Sequence, residues 1–144
     1  MERKKANLGR RIVASLIDGV ISLVIGLVPL VGGLVAAAFM LTRDGLFDGQ
    51  SPGKRIMGLK VVSMGSGREA TYADSIRRNA IFAIPDLVMV IPVIGVVIGV
   101  PLAVALFAVE TVFVLTDPRG LRLGDRFGRT MVVDAAAQVG SLPA

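Results

Sequence analysis

The sequence predicts an all-α membrane protein with four transmembrane helices arranged as two hairpins, together with short cytoplasmic strand and turn segments. Three observations predict this fold: the composition, two long apolar stretches and the distribution of basic residues. Hydrophobic residues make up 53% of the chain and the mean hydropathy is +0.73. Such a composition is too apolar for an ordinary soluble domain, so lipid must form part of the chain's solvent.

Each apolar stretch is longer than one membrane span. Residues 12–41 contain one charged residue and residues 79–116 contain two, whereas a helix needs about 20 residues to cross a hydrocarbon core of about 30 Å. Pro and Gly, which interrupt helices, occur in the middle of both stretches, at residues 28–33 and 91–95. Each stretch therefore predicts two short helices joined by a tight turn.

Further residues adjust these helix boundaries. Residues 12–28 provide only 17 positions for the first helix, close to the lower limit of about 17 for a span. We therefore expect either that the first hairpin recruits residues 8–11 and 46–47 at its ends or that the bilayer thins locally. In the second hairpin, Gly99 and Pro101 are additional helix breakers close behind the turn.

The basic residues predict the orientation in the membrane. Of the 16 Lys and Arg residues, five lie in residues 1–11, seven in residues 42–78 and four in residues 117–144. Four spans place all of them on one side, as the positive-inside rule requires. We therefore expect a multi-pass protein of the cell inner (plasma) membrane with both termini in the cytoplasm. A secretory signal is disfavoured because the first apolar stretch is too long and contains Asp18.

The predicted segments are the N-terminal segment 1–11, the first hairpin 12–48, the cytoplasmic loop 49–75, the second hairpin 76–116 and the C-terminal tail 117–144. Within the loop, composition predicts turns at residues 49–53 and 64–67 and a short strand within residues 55–63. Thr71 and Asp74 have the spacing of a capping box, which predicts that the third helix begins before the membrane.

The residue types that are missing exclude several kinds of chemistry. The chain has no Cys and no His, which excludes disulfides, thiolate catalysis and the usual zinc sites. We expect no metal site, no cofactor and no enzymatic activity. Nucleic acid is an improbable partner because aromatic residues are few and no binding motif is present.

The net charge of +5 instead indicates the lipid bilayer, and anionic headgroups in particular, as the partner of the basic face. Each Lys or Arg near a cytoplasmic membrane surface contributes about 1 kcal/mol of attraction. The candidate contacts with lipid or a protein partner are Lys54, Arg55, Lys60 and Arg126.

The two halves of the chain resemble each other. A pair of arginines precedes an aspartate in each half, Asp18 in the first and Asp86 in the second, and residues 51–62 share four identities in twelve with residues 122–133. A duplication would produce this similarity, but so would the basic ends and breaker turns that any two membrane hairpins require. Both interpretations remain open.

Three acids in the apolar stretches are candidate ion or proton sites: Asp18, Asp86 and Glu110. A carboxylate in the membrane must pair, face the bundle or bind a proton. Asp18 is either a cation or proton site or a polar clamp between helices. Asp86, next to Pro85, is either an ion ligand or a residue at a helix end near water. Glu110 lies in unbroken apolar sequence and is the best candidate for a proton carrier.

Three sequence elements resemble the RDD family of bacterial membrane proteins, which is named for one arginine and two aspartates. These elements are Arg11-x-x-Ala14-x-x-x-Asp18, residues 49–62 (GQSPGKRIMGLKVV), and residues 123–126 followed by residues 130–133. The resemblance implies that Arg11 is the arginine and Asp18 the first aspartate. It assigns the second aspartate to Asp125 in preference to Asp86.

Two functions are consistent with these features. The resemblance implies exchange of Na⁺ or K⁺ against protons, as in an antiporter, and such a protein is expected to be a homo-oligomer because four short helices enclose little volume. Acids suit Na⁺ or H⁺ better than an anion. The alternative is a non-transporting adaptor or scaffold whose cytoplasmic segments, residues 49–62 and 123–133, bind a protein partner or anionic lipid.

Overall fold

The computed structural model describes residues 6–91 and 93–136, and the predictions that fall on residues 1–5, Pro92 and residues 137–144 lie outside them. The α-helices are α1 Leu8–Gly26, α2 Gly32–Thr42, α3 Pro52–Ile56, α4 Tyr72–Val88, α5 Val100–Thr116 and α6 Leu123–Gly128. The strands are β1 Leu59–Ser63 and β2 Thr130–Asp134. A 3₁₀ turn, Arg43–Gly45, follows α2, and a π-helical turn, Gly95–Gly99, leads into α5.

The first hairpin forms largely as predicted. Helix α1 begins at Leu8, with the Asn7 side chain accepting the Arg10 N–H at 3.3 Å, and the turn lies between Gly26 and Gly32. The prediction that the helix includes residues 8–11 is confirmed. The extension of α2 to residues 46–47 is wrong, because the chain leaves the α-helix after Thr42 and places Arg43 and Asp44 in buried ionic contacts.

The second hairpin confirms the capping box. The Thr71 N–H donates to Asp74 Oδ2 at 3.0 Å, and the Asp74 N–H donates to Thr71 Oγ1 at 3.4 Å, so α4 begins immediately afterwards at Tyr72. The additional break expected near Gly99 and Pro101 is absent from the described residues. Pro101 lies in the first turn of α5, where a missing N–H is tolerated, and the π-helical turn leads into it.

The fold is mostly helical, as predicted, and includes a small two-stranded sheet. Strands β1 and β2 pair antiparallel from Leu59↔Asp134 to Ser63↔Thr130. The strand predicted within residues 55–63 is confirmed only from Leu59 onward, because Pro52–Ile56 forms α3. The turn predicted at residues 64–67 is present.

Among the described residues, one helix is long and apolar enough to cross a membrane. It covers Gly95–Thr116, 22 residues with a mean hydropathy of 2.3 in its most apolar window, of which only 11% is buried within the protein. Helix α2, by contrast, has 11 residues. Large apolar side chains are also exposed along α1, α2 and α4.

The two hairpin turns meet at one end of the molecule. A Cβ on Gly33, near the start of α2, would lie 3.2 Å from Val90 Cα, just beyond the end of α4. The sheet, α3 and α6 lie at the opposite end. There, the largest fully buried side chains include Arg78, Asn79 and Asp125, so charged and polar groups fill a place that apolar side chains usually occupy.

Candidate functional site

A buried group of charged residues, which we call the charge cluster, lies at the sheet end of the molecule. Its cations are Arg11, Arg43, Lys54, Arg78 and Arg122, and its carboxylates are Asp18, Asp44, Glu110 and Asp125. None of these side chains is more than 10% exposed. Because an unpaired buried charge costs several kcal/mol, the partner of each charge determines what it can do.

Asp18 has partners on both carboxylate oxygens. Its Oδ1 accepts the Gly53 N–H at 2.7 Å, and its Oδ2 accepts the Ser51 hydroxyl at 2.5 Å and lies 3.4 Å from Arg43 Nη1. Gly53 is required for this approach, because a Cβ there would lie 2.1 Å from the Ala14 carbonyl oxygen. This geometry is that of a polar clamp between α1 and α3.

Asp44 joins the two halves of the cluster. Its Oδ1 accepts Lys54 Nζ at 2.6 Å, and its Oδ2 accepts Asn79 Nδ2 at 2.9 Å and lies 3.3 Å from Arg78 Nε. Burial alone would raise the pKa of Asp44, but the charges of Lys54, Arg78 and Arg43 hold it well below its usual range. Burial also lowers the pKa of Lys54 to about 8.

Lys54 was predicted to contact lipid, and its position in the structure corrects that prediction. It is 5% exposed and faces Asp44, because the N-terminal turn of α3 carries it inward. Arg55 is exposed, and its guanidinium lies 4.8 Å from the Phe47 ring centroid. Lys60 pairs with Glu69 at 2.5 Å.

Asp125 is surrounded by three arginines. Arg78 Nη2 lies 2.6 Å from its Oδ1, Arg11 Nη2 lies 2.9 Å from its Oδ2, and Arg122 Nε lies 3.1 Å from its Oδ1. Burial opposes ionisation, but the three guanidinium groups outweigh it and hold the pKa of Asp125 at about 2. Arg11 and Asp125, which the family resemblance singled out, are thus in direct contact although 114 positions apart.

Glu110 is less completely paired. Its Oε1 accepts the Gly124 N–H at 3.2 Å, whereas its buried Oε2 has no hydrogen-bond partner among the described residues and lies 3.8 Å from Arg122 Nε. Gly124 brings α6 close to α4, since a Cβ there would lie 2.1 Å from the Arg78 carbonyl oxygen. One oxygen of Glu110 therefore remains available.

Asp86 lies outside the charge cluster. It is half-buried on α4, and neither its Oδ2 nor the Ser22 hydroxyl has a hydrogen-bond partner within the described part of the chain. Both residues line a cavity of about 240 Å³. The sequence placed Asp86 either at an ion site or beside water, and its position in this cavity is compatible with the first.

A second cavity, of about 180 Å³, adjoins the first. Glu110 and the five cations of the charge cluster line it, which the sequence did not predict. The two cavities have four wall residues in common: Gly19, Met40, Phe82 and Ala103. Glu110 and Asp86 therefore lie in neighbouring spaces inside the bundle.

Exposed apolar residues occupy equivalent positions on the two short helices. Ile56 on α3 is 70% exposed and Phe127 on α6 is 75% exposed. The residue before each of them is an arginine, Arg55 on α3 and Arg126 on α6. The side chain of Arg126 is 52% exposed, and its Nη2 lies 2.6 Å from Asp117 Oδ2.

Sequence reasoning missed several members of the cluster, namely Arg43, Asp44, Arg78 and Arg122, as well as Asn79, which donates a hydrogen bond to Asp44. The available signal was the Arg43-Asp44 pair directly after the first apolar stretch, because adjacent opposite charges at a membrane boundary tend to find partners in the bundle. No group of three or more acidic residues close enough to hold a metal ion occurs among the described residues.

Comparison with models of known protein families matches residues 26–129 to the RDD family. The matched segment includes Glu110 and Asp125 but begins after Arg11 and Asp18. Comparisons with curated proteins and with solved structures found no match. The family and the long apolar helix together indicate a membrane protein. Since the match covers more than two thirds of the sequence, the chain belongs to the RDD family.

Proposed function

We propose that the chain crosses the cell inner membrane four times, with both termini and the charge cluster at the cytoplasmic side. Two features support this topology. Both hairpin turns lie at one end and carry no Lys or Arg, whereas the basic residues gather at the other end, as the positive-inside rule requires. Helix α2, with 11 residues, is short for a span, so we expect local thinning of the bilayer beside it.

Within this topology we propose that the protein exchanges protons against a small ion, with Glu110 and Asp86 as the groups that take up and release the proton. The supporting observation is that these two carboxylates, each with one oxygen that accepts no hydrogen bond within the described residues, line adjoining cavities. Intramembrane carboxylates that lack a partner and face a cavity are typical of proton relays.

The two cavities are suited to different parts of this task. The five cations that line the cavity beside Glu110 repel Na⁺ or K⁺ from it but leave proton binding to the carboxylate possible. The cavity beside Asp86 offers the oxygens of Asp86 and Ser22, and no Lys or Arg lines it. Because Na⁺ and K⁺ prefer oxygen ligands, we place the exchanged cation at Asp86.

Asp18 has a different role in this proposal. With both oxygens occupied, it holds α3 against α1 and takes no part in carrying the ion. We propose no enzymatic reaction. We expect a homo-oligomer, since four short helices enclose little volume, and light scattering of the protein in detergent measures its mass.

The test of the proposed exchange is proton flux in proteoliposomes that contain an internal pH dye, driven by a Na⁺ or K⁺ gradient. We expect flux in the unaltered protein and its loss in both Glu110→Gln and Asp86→Asn. Glu69→Gln is the matched control, because Glu69 is exposed on the cytoplasmic loop, and it should leave the flux unchanged. Flux that persists in both variants would overturn the proposal, as would no flux in the correctly folded, unaltered protein.

A second candidate function, an adaptor bound to anionic lipid, is favoured by the exposed Ile56 and Phe127 beside Arg55 and Arg126. An apolar residue next to a basic one is the pattern that places a short helix at the headgroup boundary. Native mass spectrometry would compare retained anionic lipid in the unaltered protein and in the double variant Arg55→Gln/Arg126→Gln. Equal retention would argue against this function.

A further inference from the structure

The charge cluster lines a cavity, which we call the chamber. Most of its charged lining residues are basic, which is unusual for a transporter that carries protons on carboxylates. Five of its wall residues are basic and one, Glu110, is acidic. The chamber measures about 180 Å³, several times the roughly 30 Å³ that one water molecule occupies in the liquid. It therefore has room for a small polyatomic ligand.

The negative charges that pair with the lining cations do not fully balance the positive charges of those cations. The five cations are Arg11, Arg43, Lys54, Arg78 and Arg122, and the carboxylates that pair with them are Asp18, Asp44, Asp125 and Glu110. Five positive charges against four negative charges leave one positive charge in excess. Asp86, in the adjoining cavity, lies within electrostatic reach of Arg43 but forms no salt bridge with any of the five among the described residues.

Besides Arg78 Nε, which forms an ion pair with Asp44 but no hydrogen bond, two donors on the wall residues lack partners among the described residues. Arg43 is 2% exposed and its Nε has no hydrogen-bond partner in the described part of the chain; Arg78 is fully buried and its Nη1 has none either. A buried donor left unsatisfied costs about 1–3 kcal/mol, and more if it is charged. Both donors therefore favour a ligand that accepts hydrogen bonds and carries negative charge.

We propose that the chamber is a binding site for a phosphate-type oxyanion. Guanidinium groups match the oxygens of phosphate in geometry and in charge. The chamber brings four guanidinium groups together beside one lysine. The same chemistry is offered by inorganic phosphate and by the phosphate of a lipid headgroup whose chains lie along the apolar part of the wall, at Leu8, Ile12 and Phe107.

The test is isothermal titration calorimetry of the full chain in a nonionic detergent at low salt, with two ligands measured separately. The first is inorganic phosphate and the second is a soluble short-chain phosphatidylglycerol; sodium chloride serves as the ionic-strength control. This readout is binding at equilibrium, so it is independent of the proton exchange proposed above.

The informative variant fills the chamber without touching a charge. Gly19 lines the chamber, and a Cβ there meets no atom within 4 Å, so Gly19→Leu projects into the cavity. Gly65→Leu is the matched control, because Gly65 is equally open and lies in the turn after β1, away from the chamber. We expect Gly19→Leu to weaken binding at least tenfold and Gly65→Leu to leave it unchanged.

A second variant tests the guanidinium chemistry. Arg78→Lys keeps the charge but removes the planar donors, so we expect weaker phosphate binding than in the control Arg119→Lys, whose side chain is exposed outside the chamber. Phosphate binding that Gly19→Leu removes identifies a free oxyanion, and binding of the lipid alone that Gly19→Leu removes identifies a headgroup. Binding of neither ligand, or binding that Gly19→Leu leaves intact, would overturn the proposal and leave the chamber to water.

Discussion

A carboxylate holds each of the two short helices in place, and we call these contacts the α3 clamp and the α6 clamp. Both use the same kind of hydrogen bond but differ in how many partners the carboxylate has. In the α3 clamp, the Gly53 N–H donates to Asp18, and in the α6 clamp the Gly124 N–H donates to Glu110. Each glycine is the second residue of its short helix. A Cβ added to either glycine would lie 2.1 Å from a backbone carbonyl oxygen of a neighbouring helix. Asp18, however, accepts hydrogen bonds on both oxygens, whereas Glu110 Oε2 accepts none among the described residues and faces only Arg122 Nε, at 3.8 Å.

This difference in hydrogen bonding separates a carboxylate that stabilises the fold from one that is suited to bind and release a proton. A carboxylate whose hydrogen bonds are complete holds helices in place and resists any change of charge. A carboxylate with a free oxygen beside a cavity gains or loses a proton without dismantling its surroundings. The comparison therefore predicts that matched substitutions in the two clamps have opposite consequences.

The largest effect is expected for Asp18→Asn. This change removes the charge that faces Arg43, whose side chain is 3% exposed, and a buried charge left without its partner costs about 3–5 kcal/mol. Denaturant unfolding in detergent measures the loss. Glu110→Gln should cost about 1 kcal/mol or less, because the Gln side-chain oxygen can still accept the Gly124 N–H and Arg122 keeps Asp125 as a partner. Equal losses in the two variants would contradict the comparison.

A slightly smaller effect is expected on acidification. The pKa of Asp125 is lowered from 3.8 to about 2, so the folded state binds its proton less readily than the unfolded state. The stability that this carboxylate contributes is present above pH 4 and is lost as the pH falls from about 4 towards 2. The expected loss is about 2–3 kcal/mol. Asp125→Asn should remove this part of the pH dependence, and a pH profile that it leaves unaltered would count against the three-arginine contact.

The two glycines should show intermediate effects. Gly53→Ala and Gly124→Ala each place a Cβ 2.1 Å from a backbone oxygen, so the short helix must shift, at a cost of about 1–3 kcal/mol. Gly65→Ala is the control, since a Cβ there meets nothing within 4 Å. Thermal unfolding of the three variants measures the cost. If all three melt alike, the close approach of α3 and α6 is not needed.

The smallest effect is expected at the surface. Lys60 and Glu69 form an ion pair at 2.5 Å with Glu69 46% exposed, and such pairs contribute about 1 kcal/mol or less. Lys60→Gln should therefore change the unfolding free energy far less than Asp18→Asn. A loss of comparable size would show that the sheet, rather than the charge cluster, holds this end of the molecule together.

Hydropathy and helix breakers predicted that each apolar stretch contains two helices separated by a turn, because both signals are local. The same is true of the Thr71 capping box and of the recruitment of Leu8 into α1. The small sheet was half predicted: the Val content around residue 61 indicated β1, but its partner β2 lies about 70 positions further along the chain, and pairing over that distance leaves no local pattern.

The charge cluster was predictable only in part. The sequence singled out Asp18, Glu110 and Asp125 as individual residues, because acids in apolar sequence and in family motifs are conspicuous. It assigned Lys54 to the membrane surface, whereas α3 directs that side chain to Asp44. The contacts of Arg11 with Asp125 and of Arg78 with Asp44 depend on how the two hairpins pack, which no short stretch of sequence specifies.

The most direct test measures proton flux and folded fraction in the same proteoliposome sample for Glu110→Gln and Asp18→Asn. The account predicts that Glu110→Gln stays folded and loses its flux, whereas Asp18→Asn loses folded protein but retains the flux of each molecule that remains folded. Normal flux in folded Glu110→Gln would contradict the account, because the free oxygen of Glu110 would then have no part in moving the proton.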